Sequence, residues 1–129
     1  MEVYRLRNQR EMDEQCLANH RLVFHQLSMK KDSSVLANIL SDMLFAYKQI
    51  ESEKLADKVS KKASRLMKAK NRGTKEAGYY VLRNTLIPAI LIEVGYLTNP
   101  QEERLLSTSS YRQRIADGIA LSILDYATN

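Results

Sequence analysis

Apolar and polar residues alternate with several different rhythms along this chain, and each rhythm predicts its own kind of element. "EVYRL", residues 2–6, sets Val3, Tyr4 and Leu6 among polar neighbours and suits a short strand. Residues 8–31 are polar and irregular, with weak helical periodicity at Leu17, Leu22 and Leu27, and read as a mobile connection carrying some helix. From Asp32 the pattern sharpens. Asp32 or Ser33 can cap a helix whose apolar positions are Leu36, Ile39, Leu40, Met43, Leu44 and Tyr47. A second stripe follows at Leu55, Val59, Ala63 and Leu66, with lysines on its other faces. Ser52 would cap this second helix, although no Pro or Gly interrupts residues 32–71 and one long bent helix also fits. The Met and Tyr of these stripes are expected in the core and the lysines in solvent.

Beyond the stop at Gly73, a strand is expected over Tyr79–Arg83. Pro88 is tolerable at a strand's first residue, and Ala89–Val94 reads as a strand buried on both faces. "TNPQEERLL" then starts a helix by several agreeing signals: Asn99 as cap, Pro100 in the first helical position, and Glu102 three residues after the cap. A last helix follows Thr108-Ser109-Ser110 and runs to about Tyr126 on the stripe Tyr111, Ile115, Ile119, Ile123. Strands interleaved with helices make the chain α/β, with about three strands and long helices.

One position resists this reading. The run Ile87–Ile92 ends on a carboxylate, Glu93. Burying even a neutral polar group without a partner costs roughly 2–7 kcal/mol, and a charge costs more. Either Glu93 reaches the sheet edge, where water or a cation meets it, or it belongs to an active site. Ligands of open α/β sheets sit beyond the carboxyl ends of strands, where Glu93 lies, and Gly95 lets another group approach the backbone closely.

Charge and cysteine content narrow the remaining classes. The 129 residues suffice for one domain with a core, and no apolar run approaches a membrane span. The net charge of +5 favours polyanionic partners without naming one. Lone Cys16 excludes an internal disulfide and a thiolate metal site, and reads as a small, partly buried residue. His20 and His25 are five residues apart, whereas helical metal pairs prefer four, so a joint zinc site is not expected. "MEVYRLRNQR" has no apolar signal-peptide core, and the chain as written is expected to stay in the cytoplasm.

Residues 71–124 closely resemble the carboxyl-terminal half of the zinc-dependent N-acetylmuramoyl-L-alanine amidases, the peptidoglycan hydrolases. The matching positions include Arg72-Gly73, Ala77-Gly78, Val81-Leu82-Arg83, Pro88-Ala89, Glu93, Gly95-Tyr96-Leu97, Asn99-Pro100, Glu103 and Leu106. "SVLANILSDM" and "ESEKLADKV" are similar, more loosely, to the helical segment before that motif, so the best-matching region is 32–125. The resemblance implies that residues 1–129 are part of an amidase catalytic domain located in the cell envelope, with a partial mixed sheet of about three strands flanked by long helices, the carboxyl-terminal part of the α/β domain. It also implies that Glu93, in the context Pro-x-x-Leu-x-Glu-x-Gly-x-x-x-Asn, is catalytic. In such chemistry zinc polarises the amide carbonyl between muramic acid and L-alanine, a zinc-bound water attacks, and a carboxylate handles the proton. A mostly apolar strand end would suit that carboxylate, because desolvation favours its protonated form.

The family's zinc-ligand motifs are absent. No Asp-Pro-Gly-His-like turn or Ser-Ile-His-Ala-Asn-like strand end occurs, so the chain alone is expected to bind no zinc and to be inactive. Peptidoglycan is the expected partner, together with a separately encoded amino-terminal half. A non-catalytic amidase-like module that binds peptidoglycan or a regulatory partner is the alternative. "KLADKVSKKASRLMKAKNRGTK" could suggest a nucleic-acid binder, but its cations alternate with an apolar stripe and no aromatic stacking set accompanies them, so no nucleic-acid partner is expected.

Overall fold

The computed structural model describes residues 1–7, 18, 21–22, 34–68 and 70–128. Cys16, His20, His25 and most of the expected 8–31 connection lie outside the described residues. The first strand is the one its alternation predicts, β1 (Glu2–Leu6). It is followed by α1 (Ser34–Met67), β2 (Thr74–Ala77), α2 (Tyr80–Arg83), β3 (Leu91–Glu93), α3 (Pro100–Ser107) and α4 (Ser109–Ala127). The sheet is mixed, in the order β2-β1-β3: β1 runs parallel to β2 and antiparallel to β3.

Residues 34–67 form one uninterrupted helix, about 50 Å long at 1.5 Å per residue. Ser52 is no cap: it is buried, and its hydroxyl accepts a hydrogen bond from the Ala89 N–H at 3.0 Å. The buried stripe is Ala37, Ser41, Phe45, Lys48, Ser52, Ala56, Val59, Ala63 and Met67, a run of three- and four-residue steps. The stripe expected in the core, from Leu36 to Tyr47, is displaced from it by one residue, or about 100°, and is exposed; Met43 is 63% exposed and Tyr47 56%. In phase with that outer stripe, the second half of the helix carries Glu51, Lys54, Lys58, Lys62 and Arg65. A single helix buries one face, and here the buried face is the one rich in small residues.

Small side chains let the layers close. Gly118 of α4 faces Ala63 of α1, where an added β-carbon would lie 3.6 Å from the Ala63 backbone. Val3, Ala56, Val59, Ala63, Tyr111 and Ile115 form the main core between β1, α1 and α4. Leu6, Phe45 and Leu82 form a second, smaller cluster. Lys48 is buried beside that cluster and donates to the carbonyls of Leu82 and Thr85, each at 2.7 Å.

The expected strand over Tyr79–Arg83 is not found. The strand lies earlier, at Thr74–Ala77, and Tyr80–Arg83 makes a single helical turn. The expected strand over Ala89–Val94 shrinks to Leu91–Glu93 at the sheet edge, half-buried throughout. Its missing alternation has a simple cause. Ile90, Ile92 and Val94 pack on the main core, while Ala89 and Leu91 pack on the smaller one.

The turn after α1 is built by Lys68, whose φ of 51° is left-handed. That conformation costs a residue with a β-carbon roughly 1–2 kcal/mol, which glycine avoids. Asn99 caps α3 as expected, its side chain accepting from the N–H groups of Gln101 and Glu102.

Candidate active site

β-Strand alternation puts Glu2 and Tyr4 on the sheet face opposite Val3, which packs against the helices. In the β1–β3 ladder Glu2 stands directly across from Glu93. In the β1–β2 ladder Tyr4 stands beside Lys75. Two carboxylates, a lysine and a tyrosine are thereby set on one small patch by backbone register alone. Two further tyrosines close over it from the segments that follow β2 and β3. The Tyr79 hydroxyl donates to Glu93 Oε1 at 3.4 Å, and the Tyr96 hydroxyl donates to Glu93 Oε2 at 3.3 Å. The Tyr4 and Tyr79 rings meet edge to face, 5.4 Å between centroids.

The carboxylates have different surroundings. Glu2 is buried, accepts from Lys75 Nζ at 2.8 Å and from the Tyr4 hydroxyl at 2.5 Å, and has Arg72 at 3.7 Å. The hydrogen bonds from Lys75 and Tyr4 hold its pKa down at about 2. In return, Glu2 raises the pKa values of Tyr4 and Lys75. Burial, and then the neighbouring Glu2 carboxylate, raises that of Tyr96. Glu93 is half-buried, and among the described residues its hydrogen-bond partners are the two phenols, with no cation in ion-pair range. Phenol donors, and not the apolar wall expected from the sequence, surround this carboxylate.

The loop after Glu93 is fixed from below. Glu102 does not complete the capping box on Asn99; its Oε2 accepts from the Tyr96 N–H at 2.7 Å, and its Oε1 accepts from Arg72 at 3.0 Å. Gly95 makes this possible, since a β-carbon there would lie 3.2 Å from Glu102 Oε2. The Arg72 guanidinium also lies over the Tyr96 ring, 5.2 Å from its centroid.

A profile of the family described as N-acetylmuramoyl-L-alanine amidase matches residues 18–125. The chain belongs to the N-acetylmuramoyl-L-alanine amidase family. Among the amidases it resembles is N-acetylmuramoyl-L-alanine amidase AmiA of Salmonella typhimurium, 38% identical over 93 residues, which cover 69% of this chain and 32% of AmiA. Another is the putative amidase YrvJ of Bacillus subtilis, 34% identical over 80 residues, or 62% of this chain and 15% of YrvJ. The crystal structure of N-acetylmuramoyl-L-alanine amidase from Clostridium difficile 630 shares the fold, with a TM-score of 0.63 and 24% identity, over 99% of this chain and 48% of that one. The chain spans about a third of the length of the AmiA sequences it matches.

The sequence singled out Glu93 but missed the group around it. Glu2 lies about 70 positions from Arg72 and Lys75 in the chain, and only the sheet register reveals their meeting. The family's zinc has no home among the described residues. No three His, Cys, Asp or Glu side chains group there to hold a metal, and Glu2, the carboxylate nearest Glu93 in register, is already matched by Lys75 and Arg72. No helix among the described residues is long and apolar enough to cross a membrane.

Proposed function

We propose that this chain is the carboxyl-terminal portion of a peptidoglycan amidase domain, with Glu93 as its proton-handling residue. The observation that carries the reading is Glu93 itself: the family's motif glutamate stands at the end of β3, held by two phenol donors and free of a neutralising cation among the described residues. Cleavage of the muramoyl–alanine amide requires a proton to leave the attacking water and another to reach the departing amine. Glu93 Oε1 and Oε2 are the acceptor atoms for that transfer, and Tyr79 and Tyr96 orient them. Glu2 stays ionised and holds Lys75 and Tyr4 in place. Zinc ligands and the first part of the domain come from outside the described residues, so the chain alone is inactive and works in the cell envelope together with an amino-terminal half.

Reconstitution with an amino-terminal half that carries the family's His motifs tests this by following release of stem peptide from purified peptidoglycan. The complex should be active, and Glu93→Gln should lower turnover roughly 10²–10⁴-fold, the range for general acid–base groups. An unchanged rate in Glu93→Gln refutes the assignment. The absence of a metal-ligand set among the described residues favours a second reading, a non-catalytic peptidoglycan-binding module. A reconstituted complex that is inactive, beside a chain that sediments with peptidoglycan, would support that alternative.

A further inference from the structure

The buried face of α1 grips the segment between β2 and β3 at two points about one helical turn apart. Lys48, only 1% exposed, donates from Nζ to the carbonyls of Leu82 and Thr85. Ser52 accepts from the Ala89 N–H. A functional group stands on either side of the stretch held in this way. Tyr79 lies just before it and Glu93 just after it, and the Tyr79 hydroxyl donates to Glu93 Oε1 at 3.4 Å.

The path from Lys48 to Tyr79 is short. α2 is a single turn, and the carbonyls at the end of so short a helix have no partner within it. Lys48 supplies one. At the other end of the turn, the Tyr79 carbonyl accepts from the N–H groups of Leu82 and Arg83, at 3.0 and 3.2 Å. Leu82 is therefore bonded to Lys48 through its carbonyl and to Tyr79 through its N–H, while its side chain is buried with Leu6 and Phe45. Tyr79 itself is 36% exposed, so the turn behind it decides where its hydroxyl points. A lysine that only ties α1 to the neighbouring layer would explain the bonds but not their place. An apolar side chain of the same length would fill the space beside Leu6, Phe45 and Leu82 without taking an amine out of water. Lys48 instead reaches two carbonyls on the one segment that carries both Tyr79 and Glu93.

We propose that Lys48 is a positioning residue: its grip on the end of α2 keeps the Tyr79 hydroxyl on Glu93 Oε1. The inference rests on the reading of Glu93 as the proton-handling group, and its first test needs no catalysis. In the full chain, isotope-labelled at the glutamate carboxyls, the Glu93 signal is identified by its loss in Glu93→Gln and shifts when a phenol donor is withdrawn. At neutral pH, Lys48→Met should move that signal the way Tyr79→Phe moves it and add nothing in the Tyr79→Phe background. It should also abolish the through-space contact between the Tyr4 and Tyr79 rings. Lys48→Arg, which retains donors for both carbonyls, should keep the parental spectrum. Lys48→Gln, whose amide reaches one atom less far, replaces Lys48→Met if the latter does not fold, with a smaller shift in the same direction. In the reconstituted enzyme Lys48→Met should lower kcat about tenfold with KM unchanged, the worth of one hydrogen bond to a charged group. Lys48→Met combined with Tyr79→Phe should lose no more than either alone. A lower unfolding temperature with the Glu93 signal and the ring contact intact would make Lys48 a tie between layers and overturn the proposal. Parental kcat in Lys48→Met beside a lowered one in Glu93→Gln would also overturn it, and leave the assignment of Glu93 standing. Parental kcat in Glu93→Gln refutes the role of Glu93 instead, while the signal and the ring contact still decide whether Lys48 holds Tyr79.

Discussion

Gly95→Ala isolates the contact that holds the Glu93 loop in place. The backbone at Gly95 is outside the left-handed region, so alanine is not excluded by conformation. The obstruction is local, with Glu102 Oε2 and Leu106 Cδ1 each 3.2 Å from the added carbon. Leu106 Cδ1 is the free end of a side chain and can give by a few tenths of an ångström. Glu102 Oε2 is held by the Tyr96 N–H and cannot move without lengthening that bond. Crowding of this kind costs about 1–3 kcal/mol. The smaller entropy of an alanine-containing unfolded chain returns about 0.4–1 kcal/mol. The net expectation is a loss near 1 kcal/mol, or about 3–5 °C in Tm for a chain of this size. Glu102→Ala removes the obstructing oxygen, so Gly95→Ala placed in that background should be neutral or slightly stabilising. Urea unfolding of the four proteins of this cycle measures the coupling, expected at about 1 kcal/mol. If Gly95→Ala costs the same in both backgrounds, Glu102 is not what the glycine accommodates.

Glu2 has a pKa held near 2 in the folded chain, below its ordinary 4.5, so it contributes stability above pH 4.5 that is lost as the pH falls toward 2. Unfolding free energies measured between pH 5 and pH 2 should therefore fall more steeply for the parent than for Glu2→Gln. Asn99→Ala removes the acceptor for the Gln101 and Glu102 N–H groups and should cost about 1 kcal/mol in chemical denaturation.

Much of this architecture can be read from local signals. The cap at Asn99 with Pro100 after it and the alternation of "EVYRL" are each decided within a few residues, and the motif around Glu93 is contiguous, whereas the expected stop at Gly73 comes too late, since α1 ends at Met67 with Lys68 in the left-handed position. The misreadings occur where two answers are locally equal. In α1 an apolar stripe and a small-residue stripe lie side by side, and hydrophobicity alone favours Leu36, Met43 and Tyr47. The choice falls to Ser52 and Ala56 because the segment before β3 and β1 approach closely there, which no local window contains. Tyr79–Arg83 is apolar enough for a strand, but Thr74–Ala77 takes the place beside β1. The Glu2–Lys75 pair brings together residues more than 70 positions apart, so its chemistry stays hidden until the register is known.

Placing β1 in the middle of the sheet has a consequence for how the molecule comes into being. The strand made first is bonded on one side to residues about 70 positions later and on the other to residues about 90 positions later. At a ribosomal pace of roughly 5–20 residues per second, β1 waits several seconds for each neighbour. A helix such as α1 forms within about a microsecond of being exposed. Val3 can therefore settle against the Val59–Ala63 face long before any sheet hydrogen bond exists. The ladder that sets Glu2 opposite Glu93 closes only when residue 93 has been made, so the carboxylate patch is the last part of the sheet to be assembled.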